Sequence, residues 1–284
     1  MIKGTKLTVL VEDSLSTTNK KQGLKAEHGL SILMEISEPR LSLLMDTGQS
    51  PRTLSHNMQI LGVDPNGINA IFVSHGHYDH TGGIPAVLKQ LDKPIPVVAH
   101  PGIFRPIFKF DPYIKYIGSP FKRSHVESWG GVPLLARTPV KIVNGVLATG
   151  EIERVTSFEK TQGFWTLQKD RFVKDLMRDD QALIVDLEDK GLAVISGCAH
   201  AGIINTINRA ETLMGNEKIY AVIGGFHLVG AGRERMNPTI NSLTGIDPDL
   251  ICPCHCTGSD AVKEMGRVFG ERCKPLRTGD TLEL

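Results

Sequence analysis

The sequence has almost no excess charge, no long apolar run, few aromatic side chains and few cysteines, and each shortage removes a class of protein. Its 32 basic and 31 acidic residues leave a formal charge of +1 over 284 residues. A polyanionic partner normally demands a basic excess, so nucleic acid is not the expected ligand. No window approaches the roughly 18 uninterrupted apolar residues of a membrane-spanning helix, and no membrane partner is expected. The opening MIKGTKLTVLVEDS is a charged start followed by a short alternating run, broken at Glu12 and Asp13. It reads as a strand rather than a secretion signal, and cytoplasmic placement is the expectation. The five cysteines, Cys198, Cys252, Cys254, Cys256 and Cys273, are odd in number and crowd toward the C-terminus. They do not suggest a disulfide framework.

Also missing are internal repeats and low-complexity linkers. The expectation is therefore one domain over residues 1–284, large enough to bury a sizeable core. Strand and helix patterns alternate throughout and imply an α+β fold, with two sheets packed between helices. Strands are expected at Lys6 to Val11, Leu30 to Ile36 and Leu41 to Met45. Ser50 and Pro51 then open a helix that Gly62 stops. The buried run Ile68 to Val73 delivers the chain to a polar segment, and a helix from Ile84 to Leu91 follows. Seven of the sixteen aromatic residues fall between Phe104 and Trp129, interleaved with Arg105, Lys109, Lys115, Lys122 and Arg123. This stretch, about residues 101–130, reads as an insertion. It suits either stacking and phosphate pairing or a surface excursion with its own small core.

What the sequence does have is histidine, ten in all, and 29 glycines. The central motif is His75-x-His77-x-Asp79-His80, directly after the buried strand. Three imidazoles and a carboxylate at one strand end form a ligand set for a borderline-soft divalent transition metal. If the chain stays extended, His75, His77 and Asp79 point one way, whereas a turn at Tyr78 to His80 could split the four between two adjacent ions. Later strand ends offer further candidates. Ser196-Gly197-Cys198-Ala199-His200 offers His200, with Cys198 either a ligand or a small buried side chain. Pro253-Cys254-His255-Cys256-Thr257-Gly258 closes the next-to-last strand and opens the last helix. His227, after Gly224-Gly225, is expected at the same rim as a substrate contact, a general acid or a further ligand. Gly230-Ala231-Gly232-Arg233-Glu234-Arg235 is a loop in which Arg233 and Arg235 could hold a phosphate. His28 is a rim candidate of the same kind, whereas His56, His100 and His125 are not expected to be ligands.

His75-x-His77-x-Asp79-His80, with the earlier Leu43-Leu44-Met45-Asp46-Thr47-Gly48, resembles the signature of the metallo-β-lactamase superfamily. The resemblance implies a four-layer αββα sandwich that holds one or two metal ions at the edge between its sheets. It gives His255 the role of closing ligand and places Asp46 as a ligand or a support behind one. The superfamily usually carries a further His before the position of Cys198, and an Asp at that position that bridges two ions. No His lies between Val126 and Asp189, so His200 is expected to replace the first, and Cys198 stands where the second would be. Gly197 to Ile203, Gly224 to Leu228 and Pro253 to Gly258 narrow the resemblance. They look like the branch named for 7,8-dihydropterin-6-yl-methyl-4-(β-D-ribofuranosyl)aminobenzene 5'-phosphate synthase, whose members are often labelled metal-dependent hydrolases.

The resemblance implies an enzyme with one or two divalent ions, zinc first and iron or manganese as alternatives, acting on a small phosphorylated, pterin-type substrate. Asp79 would be ligand and catalytic base, with His227 the second catalytic candidate. Hydrolysis is the broad expectation. The alternative is a transferase that joins a dihydropterin methyl diphosphate to an aminobenzene ribofuranosyl phosphate and releases diphosphate. A non-catalytic metal or redox sensor built on the cysteines is the third. The oligomeric state has no signature in the sequence.

Overall fold

In the computed structural model, residues 1–18, 23–215 and 217–284 are described. Two large sheets pack face to face, with helices on both outer sides, and this is the αββα arrangement that the resemblance implies. The first sheet has seven strands, in spatial order Thr281–Glu283, Lys3–Val11, Ser31–Glu38, Leu41–Met45, Ala70–Phe72, Ile95–Ala99 and Gly131–Leu135. The second has six, in order Leu250–Cys254, Ile219–Gly225, Gly191–Ser196, Ala182–Leu187, Val146–Ala148 and Val140–Val143.

Side-chain alternation sets the layers. In the strands 31–38 and 41–45, Ile32, Met34, Ile36, Leu43 and Met45 enter the core between the sheets, while Leu33 and Leu44 face the outer helices. Both faces of these strands are covered, so they read as near-continuous apolar runs. Strand 250–254 obeys the same rule: Cys252 and Cys254 join Leu250 in the inter-sheet core, and Ile251 faces the helices behind. Each such buried aliphatic side chain is worth about 1.5–3 kcal/mol relative to exposure.

The helix Pro51–Leu61 forms as the sequence dictates. The Ser50 side chain accepts from the Thr53 amide, Pro51 sits at the first position, and Gly62 closes the helix at φ 75°. The apolar stretch from Val140 to Ala148 forms a hairpin that turns at Gly145. One expectation fails. The expected Gly/Arg-rich loop ends at Gly232, and a 14-residue helix, Arg233–Ile246, follows. Pro238 and a glycine near the helix end mask it in sequence, yet Met236, Ile240 and Leu243 fall on one face and pack against the outer core of the second sheet.

The insertion does not stand alone. Ile107–Lys109 and Lys115–Tyr116 pair with the later hairpin Phe164–Gln168 and Arg171–Lys174 in an accessory four-stranded sheet. Among the described residues no helix is long and apolar enough to cross a membrane.

Candidate metal centre

Every part of the centre comes from a strand end or the turn after it, gathered at one edge between the two large sheets. After Ala70–Phe72 the chain passes through Ser74 to Gly76 and enters a single helical turn, Tyr78–Thr81. That turn separates the side chains of the motif into two sets. His75 Nε2 and His77 Nδ1 lie 3.0 Å apart, and His200 Nε2 lies 3.3 Å from the first and 3.2 Å from the second. On the other side, Asp79 Oδ2 is 3.7 Å from His80 Nε2 and 3.5 Å from His255 Nε2, and the two imidazole nitrogens are 3.3 Å apart. Cys198 Sγ is 3.2 Å from His80 Nε2. It also lies within 4.8 Å of nitrogens of His75 and His200, so a ligand atom of the other set is near it as well.

These donors fit divalent cations. Three imidazole nitrogens facing one another cannot all be satisfied by sharing protons, and His75, His77 and His200 are buried. Nitrogens bound at 2.0–2.1 Å around a tetrahedral ion would be separated by about 3.3 Å, close to the spacings found. Burial lowers the pKa of all three, His77 to about 4, so each is held in the neutral form that a metal requires. Burial opposes charge on Asp79 as well, but His80 and His255 outweigh it and hold the carboxyl well below its usual range.

The imidazoles are aimed by partners behind them. Asp46 Oδ2 pairs with His80 Nδ1 at 2.7 Å and accepts from Ser74 Oγ at 2.6 Å, and Ser74 Oγ is 2.9 Å from His75 Nδ1. Asp46 thus stands behind the donors rather than among them, and it leaves Nε2 of both rings free. Gly197 makes room for this group, because a Cβ there would collide with Ser74 Oγ and lie 2.8 Å from Asp46 Oδ2. Asp46, Ala199, His227 and His255 all adopt positive φ, between 48° and 55°. Left-handed backbone at these four non-glycine positions is held in place by the packing around the donors.

Several supports have no signal in the motif pattern. Asp13 Oδ1 lies 2.9 Å from His255 Nδ1, and Glu12 accepts from the His255 amide at 2.7 Å, so the end of the first long strand orients a ligand candidate 242 residues away. Asp179 accepts from the Gly76 amide and pairs with Arg105, which also holds Asp175. Asp180 accepts from the Ala201 amide. Glu159 accepts from Ile204 and Asn205 and caps the helix Ile203–Met214, whose Gly202 offers no side chain.

A cavity of about 400 Å³ opens over the donors, lined among others by Phe164, Lys109, Lys115 and His227. A second, of about 690 Å³, shares His227 and reaches Arg235 and Lys160. The His227 ring lies 4.3 Å from that of His200, and its buried Nδ1 has no hydrogen-bond partner among the described residues. His28 bridges Asp13 and Asp79 at 3.2 and 3.3 Å. Arg233 does not join this group: it is exposed at the start of its helix and lines neither cavity. Of the alternating cysteines only Cys256 reaches the cavity, because the strand ends at Cys254 and a tight turn over His255–Thr257 redirects the chain. His56, His100 and His125 bind elsewhere, to Gly23, Glu151 and the Trp129 ring.

The family model of the metallo-beta-lactamase superfamily matches residues 25–167. The chain belongs to that superfamily. It is 36% identical over 91% of its length, and 90% of the relative's, to the 7,8-dihydropterin-6-methyl-4-(beta-D-ribofuranosyl)-aminobenzene-5'-phosphate synthase of Methanocaldococcus jannaschii. An uncharacterized protein of the same organism, MJ0448, is 31% identical over 86% of this chain and 89% of that one. Among solved structures, Tm1679, described as a metal-dependent hydrolase of the beta-lactamase superfamily, aligns with a TM-score of 0.82 at 28% identity, covering 99% of both chains. The chain is thus an enzyme of this superfamily.

Proposed function

We propose that the protein is a metal-dependent transferase that joins a dihydropterin methyl diphosphate to an aminobenzene ribofuranosyl phosphate. The observation that carries this reading is the pair of donor sets, linked by Cys198, on the floor of a cavity walled by an aromatic ring and two lysines. Similarity along nearly the whole chain to the synthase supports the substrate class.

His75, His77 and His200 would hold one cation and Asp79, His80 and His255 a second, with Cys198 shared between them. When bound, divalent ions, zinc first with iron or manganese as alternatives, supply charge neutralisation and Lewis acidity at the phosphoryl oxygens. The protein's own groups do the rest. Phe164, whose ring packs 5.1 Å from that of His77 and 5.0 Å from that of His200, offers a flat apolar face and keeps water from the floor. The amine nitrogen bonds to the pterin methylene carbon as the carbon–oxygen bond to diphosphate breaks. The proton that leaves the nitrogen passes to His227, which lines both cavities. His28, in the first cavity, and Arg235, in the second, contact the substrate on either side of His227. Were water the acceptor instead, Asp79 would orient it and take its proton. That hydrolytic reading is favoured by the likeness to Tm1679.

The test is the metal-loaded protein supplied with both substrates. Diphosphate should form in step with the condensed product, and His77→Ala should lose both bound metal and turnover. No diphosphate above background overturns the transferase reading. Phosphate release from a panel of phosphate esters would then point to hydrolysis.

A further inference from the structure

We propose that Lys109 and Lys115, on the accessory sheet, form a two-pronged clamp for the diphosphate group of the substrate. The inference rests on the transferase reading for the identity of that group, but its physical basis is separate. Lys109 and Lys115 are directly paired across the antiparallel strands 107–109 and 115–116, and both line the cavity over the donor sets. Two ammonium groups placed opposite each other on one face of a strand pair repel, and such pairs destabilise a sheet. Among the described residues neither lysine has a carboxylate within ion-pair distance, and Lys115 has only the Tyr78 ring, 5.8 Å from its Nζ. A bound polyanion offsets that repulsion.

Strand alternation explains why these two of the segment's basic residues are chosen. Ile107 and Lys109 share a face, and Ile107 anchors it in a small core with Ile117 and Met177. The opposite face carries Phe108, Phe110, Trp165 and Phe172, which stack among themselves away from the cavity. Phe108 and Phe110 of the insertion therefore hold the sheet together with Trp165 and Phe172, and the two lysines lie on the cavity side. Arg123 is spent on Glu127, and Arg105 on Asp175 and Asp179. A diphosphate carries enough acceptor oxygens to engage both ammonium groups, whereas one phosphate ion offers a smaller, less charged target.

The test is calorimetric titration of the metal-loaded protein with inorganic pyrophosphate and, separately, with inorganic phosphate. Lys109→Gln and Lys115→Gln are compared with Lys141→Gln, an exposed lysine on the second sheet, after metal content and circular dichroism are shown to be unchanged. Each clamp substitution should weaken pyrophosphate binding roughly tenfold, the double variant more, and should flatten its salt dependence, while Lys141→Gln matches the wild type. Wild-type pyrophosphate affinity in the double variant, or a loss seen with phosphate alone, overturns the clamp. Because this is a binding measurement, it stands whether or not the condensation assay yields product.

Discussion

On the proposed reading, Cys198 is the side chain that links the two donor sets. Its sulfur lies against His80 and reaches donors of the other set, where the superfamily usually carries a bridging carboxylate. A thiolate there would favour zinc, cobalt or iron over manganese or magnesium, which prefer oxygen ligands. With cobalt loaded into the wild type, a sulfur-to-metal charge-transfer band should appear in the near ultraviolet, and Cys198→Ser should lose it along with tenfold or more in metal affinity. Cys198→Asp should recover metal content without the band. An unchanged band in the serine variant would show that Cys198 is not the sulfur bound, leaving Cys256 as the nearest other thiol. The sequence showed His75, His77, Asp79 and His80 openly, because one strand end and one turn carry all four. Asp13 and Glu12 could not be read in the same way. They serve His255 only because the first long strand of one sheet and the strand 250–254 of the other end side by side, a fact of how the sheets pack rather than of local spacing.

At the scale of elements, the pattern of strands and helices was legible wherever a cap or an apolar stripe was strong, as at Ser50 and Gly62. It failed where stability comes from packing. The helix 233–246 carries a proline and a weak stripe, and the accessory sheet joins segments more than fifty residues apart. The loop 175–181, which the motifs pass over, places two adjacent carboxylates beneath the donors. Asp179 is held low despite burial because Arg105 faces it, whereas burial pushes Asp180 up to about 7. The folded chain therefore keeps a proton on Asp180 that the unfolded chain releases near the ordinary value of 3.8. Between those two values the native state binds more protons than the unfolded one, so this contribution to stability falls as pH rises from about 4 to about 7 and is level above that. Asp180→Asn cannot ionise and keeps an oxygen for the Ala201 amide. In urea titrations of metal-stripped protein, the stability of the wild type relative to this variant should decline across that window, by on the order of a few kcal/mol. Parallel profiles would mean that Asp180 is not the titrating group.

On the scale of the whole molecule, the centre is a seam. Its first donors follow the strand 70–72 of one sheet, and His200, Cys198 and His255 follow strands of the other, so bound cations tie the two sheets together at an edge where their own core stops. Apolar packing between the sheets is continuous from Ile2 to Leu284 and draws on both halves of the chain, which supports one cooperative unit over residues 1–284. Ligand that binds only the native state at a thousand times its dissociation constant adds about 4 kcal/mol. For a chain of this size that corresponds to roughly 10 °C in Tm, at about 2–4 °C per kcal/mol. Chelation should lower Tm by about that amount yet leave a single transition. Trp129 and Trp165 lie on the first-sheet side and the accessory sheet, so their fluorescence follows that part of the molecule, while far-ultraviolet circular dichroism follows all of it. The two signals should coincide with and without metal. Separate midpoints after chelation would show that the sheets are distinct units held together by the ions, and would sink the single-domain reading.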